Sequence, residues 1–275
     1  MYASLQAILH PCSQIIGVLL ATSLISAGAA HAASNDKIST DRPDFVESSA
    51  VVGKGRLQIE TGLAWDRTNT GGTRERSFTT PVLLRMGLGD TWELRLESDG
   101  RTIHRSKELA TGVATVETGY ADASLGAKWH VRDGQGSTPS VGILLNLDMN
   151  TGTASFRGNG LRPSLRATAE WELPADFSLG VMPGISYDKT DSGKRFASGI
   201  FGIVLGKQWA DRFATFIELA APQIAHASNG DSMVYAGTGA TYLLSDSWQV
   251  DAALRRGLNR NTPDWAWTIG LSARF

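Results

Sequence analysis

The chain has 275 residues, a nearly balanced formal charge of −1, 30 glycines, 8 tryptophans and a single cysteine. That balance leaves no electrostatic footprint for nucleic acid. One thiol excludes an internal disulfide and a multi-thiolate metal site.

The N-terminal stretch 1–33 differs in character from the rest of the chain. Ile15 to Ile25 is a mostly apolar run, succeeded by the small residues of Ser26 to Ala33. This is the composition of an export signal cleaved after Ala32 or Ala33, although the flank carries His10 and no lysine or arginine. The run is shorter than the ~20 residues a spanning helix needs. Cys12 lies inside the signal, so the exported chain is expected to carry no cysteine.

Residues 34–53 form a polar leader. Ser39 to Ser49 lacks alternation and contains Pro43. It is either a disordered periplasmic lead or a segment folded into a barrel mouth. In the second case Arg42 and Asp44 pair with lumen charges, Phe45 is an apolar anchor, and the segment acts as a plug.

From residue 54 onward, period-two alternation recurs, which puts apolar and polar side chains on opposite faces of a strand. Leu57, Ile59, Leu63 and Trp65 open the series. Val82, Leu84, Met86 and Leu88 come next, then Trp92, Leu94 and Leu96 set against Glu93, Arg95 and Glu97. Leu125, Ala127 and Trp129 flank Lys128; Val141 to Leu147, Leu161 to Trp171 and Phe177 to Tyr187 continue the pattern. Further strands are read at 196–207, 213–220, 233–243, 248–256 and 265–275. Pro81, Pro163 and Pro183 fall inside proposed strands and should mark bulges or ends.

The count is twelve, an even number as single-chain outer-membrane barrels require. Short turns at 87–91, 173–176, 210–212 and 244–247 alternate with longer links near 67–77, 98–119, 148–160, 188–195, 221–232 and 257–264. The pattern predicts an all-β, transmembrane antiparallel barrel over 54–275 in a bacterial outer membrane, with short periplasmic turns and longer external loops. A soluble β-sandwich also alternates, but Trp92, Trp129, Trp171, Trp209, Trp248 and Trp265 lie near strand ends, as in an aromatic girdle against lipid.

With the apolar face toward lipid, the charged residues line the lumen: Glu60, Arg85, Glu93, Arg95, Glu97, Lys128, Arg162, Arg166, Glu170, Glu218, Asp251, Arg255 and Arg274. They either pair with one another and close the interior, or line a solute pathway. No cofactor is implied, and no metal-binding spacing occurs among the five histidines. His226, Ser228 and Asn229 resemble a segment of outer-membrane phospholipases and lipid A deacylases, the less favoured enzyme reading. Ser-Asn-Gly is also ordinary turn composition.

Thr40-Asp41-Arg42-Pro43-Asp44, Glu60-Thr61-Gly62, Thr241 to Asp251, Arg256 to Asn259 and Gly270 to Phe275, in this order, resemble the family called "putative MetA-pathway of phenol degradation". The resemblance implies an outer-membrane barrel passing small, aromatic or hydrophobic solutes, with a closed structural or surface-binding barrel as the alternative. Phe275 is similar to the terminal aromatic signal read by the outer-membrane assembly machinery.

Overall fold

The computed structural model describes residues 37–190 and 192–275; the expected export signal lies outside the described residues. The elements are β1 (Leu57–Thr70), β2 (Thr73–Thr79), β3 (Val82–Gly87), β4 (Trp92–Ser98), β5 (Arg101–Glu108), β6 (Ala114–Tyr120), β7 (Ala123–Arg132) and β8 (Ser140–Met149). They continue with β9 (Arg162–Leu173), β10 (Phe177–Lys189), β11 (Arg195–Ala210), β12 (Phe213–Ile224), β13 (Met233–Ser245), β14 (Trp248–Gly257) and β15 (Trp265–Arg274). No helix among the described residues is long and apolar enough to cross a membrane.

The sheet closes on itself. β15 pairs antiparallel with β1 from Gln58↔Arg274 to Arg67↔Trp265, so no edge remains at the seam and a two-sheet sandwich is excluded. The fifteen segments make twelve barrel strands, because three strands are each broken once. β2 and β3 are separated at Thr80-Pro81, β4 and β5 at Asp99-Gly100, and β6 and β7 at Ala121-Asp122. Pro81 therefore falls at a break, where a strand can spare a donor. Pro183 sits inside β10 where its pairing with β9 is interrupted between Val181↔Ala169 and Gly184↔Arg166. Pro163 lies at the start of β9, opposite Leu147.

Two of the long links expected from sequence are mostly strand. β2, β5 and β6 occupy much of 67–77 and 98–119, and with the outer end of β1 they form a four-stranded leaf continuing the wall outward. Their side chains are polar on both faces over much of their length, so no apolar alternation announced them.

The lipid-facing surface obeys the alternation. Leu94, Leu96, Leu125, Leu145, Ile217 and Ile269 are exposed, while Glu93, Arg95, Lys128 and Asn146 between them are buried. Trp92 stacks on Trp129 near the end with the short turns, and Trp65 stacks on Trp267 near the other, with ring centroids 5.5 and 3.9 Å apart. These two aromatic levels bound the apolar band.

Candidate functional site: a leader seated in the lumen

Residues 37–53 run inside the barrel. The leader starts at the short-turn rim, where Ile38 N–H donates to the Asp246 carbonyl at 2.7 Å and Lys37 Nζ to the Asp211 carbonyl at 2.9 Å. It crosses the lumen and returns, with Val52 N–H donating to Glu93 at 3.0 Å. It then passes Gly87 so closely that a Cβ there would lie inside the Gly53 carbonyl.

Wall charge dictates its path. Arg85 on β3 lies directly opposite Arg95 on β4, and like charges so placed repel unless an anion intervenes. Glu93 on the wall supplies one, 2.8 Å from Arg85 and 3.1 Å from Arg95, and Asp41 of the leader supplies the second. Its carboxylate is 2.5 Å from Arg95, 3.3 Å from Arg85 and 2.7 Å from Lys128. Its own amide donates to Glu60 at 3.0 Å. Arg85 also pairs with Glu60 at 2.9 Å and Glu93 at 2.8 Å, and all of these wall groups are buried. Glu47 adds a second clasp, 2.6 Å from Arg95 and 2.5 Å from Arg166. Burial pushes the Asp41 carboxyl up, but Arg85, Lys128 and Arg95 outweigh it and hold it far below the ordinary carboxylate range. For Glu47, Arg166 and Arg95 likewise overcome burial and lower it.

The opposite sector is held differently. Arg42 reaches Asp251 at 3.3 Å and Thr268 at 2.8 Å, in space left by Gly62 and Gly270, where a Cβ would collide with its guanidinium. The Phe45 amide donates to Glu218 at 2.8 Å, and the Phe45 ring stands edge-on to Tyr235, centroids 6.3 Å apart. Phe45 and Val46 lie against Gly202, and Val46 also against Gly180. Asp44 is half-buried near Glu218, and desolvation together with that second carboxylate pushes it well above its ordinary value.

The remaining lumen residues are distributed around this core. Glu170 accepts from the Ser49 amide at 2.6 Å and Arg255 donates to the Pro43 carbonyl at 2.7 Å. Glu97 pairs with Asn146 at 2.6 Å, and Arg162 with Asp122 at 2.8 Å toward the outer end. Arg274 stands at the rim, 3.4 Å from the Lys37 carbonyl. Sequence reasoning selected Arg42, Asp44 and Phe45 in the leader but not Asp41 or Glu47, the two leader carboxylates that engage the wall cations.

The leader separates two outer cavities from a third toward the short-turn rim. An outer chamber of about 790 Å³ is lined by Asp44, Phe45, Glu97, Arg157, Arg162 and Arg255 among others. Its neighbour, about 370 Å³, adds Pro222, Met233, Tyr235, Pro263 and Ala266. Toward the short-turn rim lies a third space of about 600 Å³ between β9 and β13. Asp44 lines both the outer chamber and this inner space.

The model of the family described as "Putative MetA-pathway of phenol degradation" matches residues 40–275. The chain belongs to this family. It is a bacterial outer-membrane β-barrel, as the closed wall and lipid-facing surface require. Among solved structures, it is similar to an outer-membrane channel from Pseudomonas putida F1, with TM-score 0.60 and 13% identity over 85% of this chain and 99% of that one. It is also similar to the β domain of the Bordetella autotransporter BrkA, with TM-score 0.52 and 13% identity over 80% and 99%. At such identities the likeness is one of fold. Among curated proteins, none matches the sequence.

His226 and Ser228 do meet, Nδ1 and Oγ lying 3.0 Å apart. The same Nδ1 also accepts from the Ser228 amide at 3.2 Å, capping the short 3₁₀ turn Ala227–Asn229. Among the described residues no group orients the other ring nitrogen, which a catalytic histidine requires.

Proposed function

We propose that this barrel is an outer-membrane channel for small molecules, kept shut by its own N-terminal leader. The observation that carries the reading is the pair of cavities divided by Asp44, Phe45 and Val46, both of which Asp44 lines. Along the β3, β4 and β7 side the lumen is closed by buried ion pairs. On the β10 to β12 side the barrier is a short apolar contact against glycine-bearing strands. Displacing residues 43–46 would join the chambers without breaking the Asp41 cluster.

The outer chamber suits a small amphipathic solute. It offers charges of both signs on one side and Phe45, Phe156, Met233, Tyr235 and prolines elsewhere. Aromatic or hydrophobic molecules bearing one polar group fit this division better than inorganic ions, which gain nothing from the apolar lining. A permanently closed structural barrel is the second reading, favoured by the complete burial of Arg85, Lys128, Glu60 and Glu93.

Single-channel recording on the folded barrel, intact and lacking residues 37–50, separates the two. The channel reading expects brief or small conductance steps from the intact barrel and larger, longer ones after deletion. Silence from both, with folding verified by heat-resistant electrophoretic migration, supports the closed barrel.

A further inference from the structure

The outer leaf carries a charge arrangement that the lumen does not use. Residues paired across strands share a face, and cross-strand pairing runs Arg67↔Arg76↔Arg105 over β1, β2 and β5. One step farther out, Arg74 lies opposite Lys107. Arg101 stands one step below Ile103 on the same face of β5. On β1 this is the face of Leu63 and Trp65, pointing to lipid, whereas Gln58 and Glu60 point to the leader.

The leaf's other face holds Asp66, Glu75, Glu108 and Glu117 at alternate positions, with no lysine or arginine. Charges are thus fully sorted between its two faces. Sorting is costly, because like charges directly opposite destabilise a sheet. Inside the barrel, the opposed Arg85 and Arg95 are bridged by Asp41 and Glu93. Outside, no salt bridge engages Arg67, Arg76 or Arg105 among the described residues. The nearby Asp264 accepts from Asn69 at 2.9 Å and lies 3.9 Å from Arg256. Asp264 also faces Arg67, but this one carboxylate at the margin of the leaf leaves Arg76 and Arg105 without an anion on their face, and theirs must come from another molecule.

Position identifies that molecule. Immediately below the arginine row, Trp267, Trp65, Phe78 and Ile103 form a continuous paired row on the same face. Arg67 stands ten residues beyond Leu57 on β1. At roughly 3.3 Å per residue and ~40° tilt, that is about 25 Å above the inner rim, the height of the apolar band. The arginine row therefore begins where hydrocarbon ends, and Arg74 and Lys107 continue it outward. Five of the six cations on this face are arginines, whose planar forks match phosphate oxygens in pairs.

We infer that this face binds a phosphorylated glycolipid of the outer leaflet, of the lipopolysaccharide class. Its phosphates occupy the Arg67, Arg76 and Arg105 row and its acyl chains lie against Trp65, Phe78 and Ile103. A soluble anion would use the arginines but leave the aromatic row without a role.

The test measures equilibrium binding of purified lipopolysaccharide to the folded barrel in detergent, with the same glycolipid dephosphorylated and inorganic phosphate as comparisons. Changing Arg67, Arg76 and Arg105 together to Gln is expected to weaken lipopolysaccharide binding at least tenfold. Glu75→Gln on the opposite face is expected to leave it unchanged. Should the triple variant fail to fold, Arg105→Gln alone is expected to lose about threefold. Dephosphorylated glycolipid should bind weakly to every form, and millimolar phosphate should not displace the lipid. Undiminished binding by a folded arginine variant, equal binding of the dephosphorylated form, or full displacement by phosphate overturns the inference.

Discussion

Replacing Asp41 with Asn keeps the shape of the side chain and removes the leader carboxylate shared by Arg85, Arg95 and Lys128. Arg85 keeps Glu60 and Glu93, and Arg95 keeps Glu47, but Lys128 is left with carboxylates no nearer than 3.9 Å. All three cations are buried. Removing one partner of a buried pair costs about 3–5 kcal/mol. The penalty falls chiefly on the docked leader, because an undocked lumen fills with water and rehydrates the cations. At about 1.4 kcal/mol per decade, the docked-to-undocked ratio should fall by roughly two to three and a half decades. Limited proteolysis of the leader in folded barrels, alongside single-channel recording, reads this ratio. Cleavage within residues 37–53 should accelerate and open-channel dwell time should rise together. Unchanged cleavage and unchanged dwell time in a correctly folded Asp41→Asn barrel would refute the assignment of Asp41 as the leader's main anchor.

The same geometry sets further outcomes. Asp41 and Glu47 have docked pKa values below their ordinary ones, so their contribution to docking is complete above the ordinary carboxylate range and is lost as pH falls through the lower docked values. Asp44 has the opposite sign: its docked value is raised, so its contribution is complete at low pH and is lost as pH rises through that value. Channel activity should therefore grow as pH rises above the ordinary carboxylate range, and Asp44→Asn should flatten that rise; a mutant profile parallel to the wild type would count against the sign. A Gly202→Val side chain would enter space held by Phe45 and Val46, a new Cβ alone lying 2.8 Å from both. That variant should conduct more in a planar bilayer, and unaltered conductance would show that the contact does not gate. His226→Ala and Ser228→Ala should leave any lipid hydrolysis by the purified barrel unaltered, because their contact is a turn cap; an abolished activity would restore the enzyme reading.

The wall was legible because lipid on one side and a charged lumen on the other impose strict alternation. Trp92-Glu93-Leu94-Arg95-Leu96-Glu97 could be assigned face by face, and each of those faces is as read. Alternation fails where the same strand leaves the bilayer. In β2, Thr-Arg-Glu-Arg-Ser-Phe-Thr has polar residues toward both sides, so only its hairpin partners reveal a strand. The leader was harder still, since an irregular segment has no period. Pro43 and Phe45 drew attention in it, whereas Asp41 derives its role from Arg85 lying opposite Arg95, a register that depends on the hairpin between β3 and β4. Both arginines were visible as lumen charges; only their pairing showed that they needed an anion between them.

The most direct test of a gating leader is to tie it down. Val46 and Gly180 present their Cβ positions about 4.0 Å apart, within the span of a disulfide, and the sole natural cysteine, Cys12, lies in the expected export signal. In a Val46→Cys, Gly180→Cys barrel, Val204 must shift slightly to admit the new side chain. Under oxidising conditions this protein should be silent in single-channel recording, and reductant added to the same membrane should restore stepwise conductance. Equal conductance before and after reduction, with the crosslink verified by mass spectrometry, would show that solutes do not pass where Phe45 and Val46 meet the wall.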